Sequence, residues 1–554
     1  MLLLLILAAD LILHNGKVLT VDDRFSIAQA IAVEGNRIVA VGDNRQVLTR
    51  RGAATRVIDL KGKTVLPGLI DAHVHVLSAG LSEYRGALPP LDSEEAVRAY
   101  IRQQMAQTPK GAWIVVPRTF PTRLKEMKMP TKELLDVATE HPVMFDASYV
   151  WVVNSLALQL SGITRDTPNP PGGVIERGAD GEPNGILRNA GRLLKGLNRA
   201  ERFSEAEQLD AIEKQLNRYL DAGLTGVGDR AVTDNDVRLY GKLEEAGKLP
   251  IRVALTWRLD ASPPVEEVVS RIRTSVWRSK AGSQWLRFTT FKVTLDGGMT
   301  IGTAYQRVPY GEFGKQLYGL TQPDWRGQLF IPPPKLETIL GAARDMGWQL
   351  TAHSQGGGAV DTLIDVFEKL DAVRPIKETR SHPMHASFQS VEAIAKLKKM
   401  GLPADVQPAW LYLDGPALER VFPGGGMKYF FPLKTYRDAG ILLAGGSDHM
   451  IGFDKNRAVN PYNPFLGIWT AVTRRMVNGQ VQAPEQRIGR EDALRMYTRW
   501  AAYIQFADHE RGTIEAGKLA DLVVIDRDFL RCPEDDLARI QPVMVIVDGK
   551  VVRQ

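Results

Sequence analysis

The sequence predicts an α/β fold: a (β/α)8 barrel carrying a small β-sandwich built from both chain ends and an insertion after the first barrel strand. Three observations predict it. Eight short apolar runs alternate with helical stretches through the middle of the chain, the pattern of βα units around a parallel sheet. Short, turn-punctuated strands occur at both ends, each set too small for a core of its own. The interval from about Tyr84 to Gly196 is far longer than a βα connection.

The bounds agree with a large globular chain, one large domain with additions or several domains. It has 554 residues, 44% of them apolar and 24% charged, the balance of a globular protein with a sizeable core. The formal charge is +6, but Lys and Arg are scattered among acids, so the clustered footprint of a nucleic-acid binder is missing. The single Cys532 excludes an internal disulfide and a Cys-built metal site; a metal would be held by His, carboxylate or a modified lysine.

At the amino terminus, "MLLLLILAAD" has the length of a signal-peptide core but no basic start, and it is too short to span a bilayer. An export signal and an apolar leader packed on the first strand stand as equal readings, and the location, cytoplasmic or exported, turns on them. From Asp10 to Leu66, "LILHNGKVLTVDD", "AIAVEGNRIVAVGD" and "TRVIDLKGKTVLPG" read as hairpins broken at Asn-Gly, Gly-Asn and Lys-Gly. The last stretch, "LADLVVIDRDFL" and "VMVIVDGKVV", has the same character, so 10–66 and 504–554 are expected to pair into one sandwich around a barrel at 67–503.

The eight barrel strands are expected in "GLIDAHVHV", "LTGVGD", "IRVALTWRL", "LRFTTFKVTLDGG", "WQLTAHSQ", "SHPMHASF", "LPADVQPAW" and "ILLAGGSDHM". In such a barrel, function sits at the carboxyl ends of the strands. The insertion, 84–196, holds strands and a helix of its own and is expected to lie over the barrel mouth as a lid.

"LPGLIDAHVHV" carries two imidazoles one residue apart. Side chains alternate along a strand, so His73 and His75 share a face. Two imidazoles at a strand end repel if protonated and leave donors unpaired if neutral, whereas a divalent cation resolves both costs. His353, His385 and Asp448 close later strands, so ligands recur where a barrel would gather them. His382 differs in parity from His385, and only one of the two is expected to face the interior. His14, His141, His449 and His509 are read as structural or solvated.

"LPGLIDAHVHV", a lysine strand ending in "DGG", strand-end histidines and a late "GGSD" together resemble the amidohydrolase superfamily. "WVVNSLAL", "PGGVIERGADGEPNGIL" and "DGGMTIGTAYQRVPYG" resemble its family 3 branch, with N-substituted formamide deformylases and YtcJ-like proteins. The resemblance implies a distorted TIM barrel and a site of one or two divalent ions, zinc first among the candidates. It implies that His73 and His75 bind one metal, that His353 and His385 bind the second, and that Asp448 ligates the first and moves the proton.

Lys292 occupies the place of the bridging lysine, carboxylated by carbon dioxide in many relatives. Burial between Phe291 and Val293 would lower its pKa and favour the reactive amine; an ion pair with Asp296 four residues on is the alternative. Asp296, Tyr305 and Trp410 are candidate substrate contacts. The implied activity is hydrolysis of a non-peptide C–N bond, an amide or an N-formyl or N-acyl amine, by metal-activated water. Hydrolysis of an ester, lactone or carbamate, or a silent scaffold, are the alternatives. The expected partner is a small-molecule substrate, with no integral membrane span and with a homo-oligomer admitted.

Overall fold

A computed structural model describes residues 8–197 and 203–554 of the chain. At its centre run eight parallel strands: β1 (Leu69–Val74), β2 (Leu224–Val232), β3 (Arg252–Arg258), β4 (Leu286–Thr294), β5 (Gln349–Ser354), β6 (Met384–His385), β7 (Ala404–Val406) and β8 (Leu443–Gly445). Each pairs with the next in chain order. The ring closes between the end of β1 and the segment after β8. There Val74 bridges His449, the Asp448 N–H donates to the His73 carbonyl at 2.7 Å, and the His75 N–H donates to the His449 carbonyl at 2.8 Å.

β1 and β5 are buried at every position, because barrel side chains meet on one face and the helical ring covers the other. The outer helices have the local signals that such a ring needs. Glu205–Asp221 opens on a capping box of Ser204 and Glu207 and buries Ile212, Leu216, Tyr219 and Leu220, the spacing of one helix face. Val391–Met400 starts on Ser390 and stops at Gly401, whose φ of +65° is the left-handed turn that favours glycine.

Below the mouth the barrel interior is polar. Arg230, fully buried, donates from Nε to the Ala72 carbonyl at 2.7 Å and from Nη1 to Thr256 and Thr290 at 3.3 and 3.2 Å. Its partners come from strands β1, β3 and β4, so one guanidinium holds three staves at a common height.

Strands from both chain ends form two sheets. One is ordered 37–42, 30–34, 9–14, 51–59; the other is ordered 550–553, 542–547, 522–525, 64–67, 17–19, 27–28. Leu522–Ile525 pairs antiparallel with Thr64–Pro67, and Leu13, Val18, Ile31, Val65, Leu522 and Ile546 share one core. Arg252 at the start of β3 makes a two-contact ion pair with Asp521, 2.7 and 3.0 Å, which fastens this sandwich to the barrel.

Between β1 and β2 the chain builds a five-stranded sheet of its own, ordered 174–177, 183–188, 150–153, 143–147, 114–116. Arg188, fully buried, ties it to the loop after β4. Its Nε donates to Glu176 at 2.6 Å and its Nη2 to the Tyr318 carbonyl at 2.6 Å. Arg123 ties it to the helix after β7 through paired bonds to Asp414, both 2.9 Å. Residues 1–7, most of the apolar leader with its two readings, lie outside the described residues. Among the described residues no helix is long and apolar enough to cross a membrane.

Candidate metal centre at the barrel mouth

The strand-end residues converge. His73 and His75, both from the end of β1, present Nε2 to Asp448 Oδ1 at 3.2 and 3.0 Å, and one ligand atom from each of the three lies within 4.8 Å of the others. Asp448 reaches in because its backbone adopts φ +56°, a left-handed conformation that strand geometry does not supply and that a non-glycine residue holds only under constraint. Across the mouth, His385 Nε2 faces His353 Nδ1 at 3.0 Å, and the His73 and His385 rings stack with centroids 4.8 Å apart. His385 too has a positive φ, +65°. The two halves therefore form one cluster.

The polar atoms of this cluster demand a positive centre. His73 Nε2 and Asp448 Oδ1 are buried and face each other at 3.2 Å as a charge contact, but among the described residues neither makes a well-aligned hydrogen bond. In the other half, His353 Nε2 lies 3.2 Å from the Gly297 carbonyl, which can only accept, so its proton sits there and Nδ1 carries a lone pair. His385 Nδ1 lies 2.9 Å from Gln407 Oε1, and its proton is likewise engaged. The facing Nδ1 and Nε2 are thus two lone pairs at 3.0 Å, an arrangement that a shared cation turns from repulsion into coordination. All donors are imidazole nitrogen or carboxylate oxygen, a set suited to zinc and its first-row neighbours.

Electrostatics follow from burial and neighbours. Burial pushes His75 down to about 4, His353 down to about 3 and His385 well below the usual imidazole value, so these three rings are neutral at neutral pH. Burial opposes the charge on Asp448, but His73 and His75 outweigh it and hold the carboxyl well below its usual range. Burial also opposes charge on His73, where Asp405 and Asp448 prevail and raise its pKa.

Lys292 stands at the cavity wall, 4% exposed, and burial lowers its amine to about 7. No ion pair to Asp296 forms among the described residues. β4 ends at Thr294, so strand alternation does not extend to residue 296. Asp296 instead accepts the amides of Gln355, Gly356 and Tyr305 at 3.0, 2.8 and 3.0 Å.

The mouth opens into a cavity of about 570 Å³. Trp410 lines it, stacked on His385 with centroids 5.0 Å apart. Asp296 and Tyr305, expected at the substrate, stand outside its lining. Asp296 is fully buried and organises the loop, and the Tyr305 hydroxyl is bonded to Arg326. The insertion contributes Arg118, Phe120, Ser148, Tyr149, Trp151 and Asn189.

His382 does not turn outward as parity suggests. β6 is only two residues long, alternation does not extend over it, and His382 is fully buried within electrostatic reach of Arg230, Asp405 and His73. His449 is structural: it accepts from the Tyr219 hydroxyl at Nδ1, 2.8 Å, and donates from Nε2 to the Gly452 carbonyl at 2.7 Å.

Comparison with known proteins agrees with this geometry. Residues 56–553 match the model of the Amidohydrolase family. The chain belongs to the amidohydrolase family. This amidohydrolase is 31% identical to an N-substituted formamide deformylase of Arthrobacter pascens, over 98% of this chain and 97% of the relative. It is 27% identical to the putative amidohydrolase YtcJ of Bacillus subtilis, over 97% and 98%.

Among solved structures, a metal-dependent hydrolase from Pyrococcus horikoshii shares the fold with a TM-score of 0.69 at 23% identity, covering 95% of this chain and 99% of that one. The zinc complex of atrazine chlorohydrolase TrzN from Arthrobacter aurescens does so at 0.54 and 17%, covering 98% and 95%. The amidohydrolase is a metal-dependent hydrolase acting on C–N bonds other than peptide bonds.

Sequence reasoning passed over Asp405 of β7, Gln407 just after it and Arg230 of β2. Asp405 Oδ2 lies 3.3 Å from His73 Nδ1 and 3.4 Å from Arg230 Nη2. For the first two the signal was present in "ADVQP": a carboxylate inside an expected barrel strand and an amide at its end, where a solvent-exposed side chain has no place.

Proposed function

We propose that this amidohydrolase cleaves the amide bond of an N-formyl or N-acyl amine, with zinc held by His73, His75, His353, His385 and Asp448 and with Lys292 carboxylated as a bridge. The observation that carries the reading is the facing lone pairs of His353 and His385 beside the His73, His75 and Asp448 cluster at the mouth of one cavity. A divalent ion there would lower the pKa of water to roughly 7 and polarise a carbonyl.

The chain's own residues do the rest. Asp448, ionised and 3.0 Å from His75, takes the proton of the attacking water and delivers it to the leaving nitrogen, which departs poorly without one. Lys292, neutral above about pH 7, is a free amine able to add carbon dioxide, giving an anionic two-oxygen bridge and a released proton. Phe120, Tyr149, Trp151 and Met450 line the outer cavity and offer an apolar and aromatic surface to the amine's organic substituent. The similarity to a formamide deformylase supports a small acyl group on the carbonyl side.

The test is hydrolysis of matched N-substituted formamides, acetamides and p-nitrophenyl esters by metal-analysed protein. Release of formate or acetate with the free amine is the expected result. Metal-loaded protein that cleaves esters and no amide overturns the assignment.

A further inference from the structure

We propose that Gln407, held in place by Asp405, is a positioning residue that sets the tautomer of His385 and couples the two halves of the metal centre through β7. The inference rests on the reading of the histidine cluster as a metal site, and β7 itself supplies no ligand in that reading.

The geometry determines which way the Gln407 amide points. Asp405 Oδ1 lies 2.7 Å from one end of that amide, and a carboxylate oxygen can only accept, so that end is the NH2 group. The carbonyl Oε1 is then the atom 2.9 Å from His385 Nδ1, and Nδ1 must donate. A reversed amide would set oxygen against oxygen at Asp405 and NH2 against N–H at His385. With Nδ1 protonated, the lone pair of His385 is confined to Nε2, which faces His353 and the cavity.

The same two residues grip the other half of the centre. Gln407 Nε2 lies 3.5 Å and Asp405 Oδ2 3.3 Å from His73 Nδ1. Asp405 Oδ2 can only accept and Gln407 Nε2 can only donate, so Nδ1 bonds one of them at a time; either contact holds the ring by its far nitrogen and leaves Nε2 aimed at Asp448. Asp405 lies in β7 and Gln407 directly follows its last residue, Val406, and both side chains are fully buried. Arg230 Nη2, 3.4 Å from Asp405 Oδ2, supplies the charge that lets an interior carboxylate stay ionised and therefore acceptor-only.

Orienting partners of this kind are worth roughly 10–100-fold in metal affinity. Gln407→Leu, which fills similar space without polar atoms, is expected to weaken Zn2+ and Co2+ binding by about that factor in competition titrations against a chelating indicator. Gln407→Glu can, when protonated, donate to Asp405 and accept from His385, and is expected to recover more affinity than the leucine variant.

The histidine tautomer is read directly by 15N NMR of the metal-free, histidine-labelled wild type, which does not depend on any variant folding. His385 protonated at Nδ1 supports the assignment, and protonation at Nε2 overturns it. Wild-type affinity in a folded Gln407→Leu protein also overturns it. A wild type that binds neither ion overturns the metal centre itself, a failure distinct from that of the positioning role.

Discussion

Asp448 and His385 occupy φ of +56° and +65°, conformations that cost a non-glycine residue about 1–3 kcal/mol. The cost is offset where the ring closes, because the Asp448 amide is tied to the His73 carbonyl. Asp448 is ionised and so has an oxygen free to accept a proton, and the proton transfer proposed for it is tested by the leaving group. Asp448→Asn should therefore depress hydrolysis of an N-acyl amine far more than that of the p-nitrophenyl ester of the same acid, since the ester's leaving group needs no proton. Equal losses on the matched pair would assign Asp448 to ligation alone. His73→Ala and His75→Ala should lose most bound metal and turnover while the barrel stays folded, as metal analysis and circular dichroism of the variants would report. For Lys292, the free amine predominates above about pH 7. Reconstitution with metal and bicarbonate should accordingly go further at pH 8 than at pH 6, and short carboxylic acids should restore part of the activity lost in Lys292→Ala.

At the level of elements, β1 and β8 depend on one another through Asp71. Its Oδ1 accepts the amides of His73 and Ser447, both at 3.0 Å, in a fully buried setting. Asp71→Ala strands two buried N–H groups, at about 1–3 kcal/mol each, and loosens the segment that presents Asp448. The variant should lose about 2–6 kcal/mol of unfolding free energy in denaturant titration. Asp71→Asn, which keeps an acceptor, should lose less. The insertion is likewise held to the barrel by buried and half-buried charged groups: Arg188, paired with Glu176, reaches the Tyr318 carbonyl, and Arg123 pairs with Asp414. These contacts fix Tyr149 and Trp151 above a centre to which they contribute no ligand.

Across the whole molecule, buried neutral histidines make the metal-free protein acid-labile. Burial holds His449 and His353 at about 3 and His382 at about 4, against about 6.5 in an unfolded chain. Between those limits the unfolded state binds the more protons, so stability is fully present above about pH 6.5 and falls as pH drops toward the folded values. Each such histidine contributes a slope of about 1.4 kcal/mol per pH unit. Metal-free protein should show a steep fall in denaturant midpoint from pH 6.5 to 4.5, and His449→Gln should reduce the slope by about one proton's worth. A flat profile would contradict the buried, neutral state of these rings.

The eight barrel strands were legible in the sequence, and so was the placement of His73, His75, His353, His385 and Asp448 at strand ends, which is distinct from the metal-binding roles proposed for them. Each rests on a local signal: apolar runs with turn residues between them, and polar side chains at a parity that a buried strand does not tolerate without a purpose. The roles of Asp405, Gln407 and Arg230 needed the closed ring, since Gln407 meets His73 across 334 positions of sequence and a polar residue in a strand looks alike whether it faces water or a buried imidazole. The same holds in reverse for Asp296 and Tyr305. Their place after a barrel strand pointed to the substrate, but three backbone amides claimed the Asp296 carboxylate, and Arg326 claimed the Tyr305 hydroxyl. Periodicity and residue type decide which side chains leave a strand on its inner face. Only the tertiary structure decides what each of them meets there, because hydrogen-bond partners are chosen by distance through space and not by position along the chain.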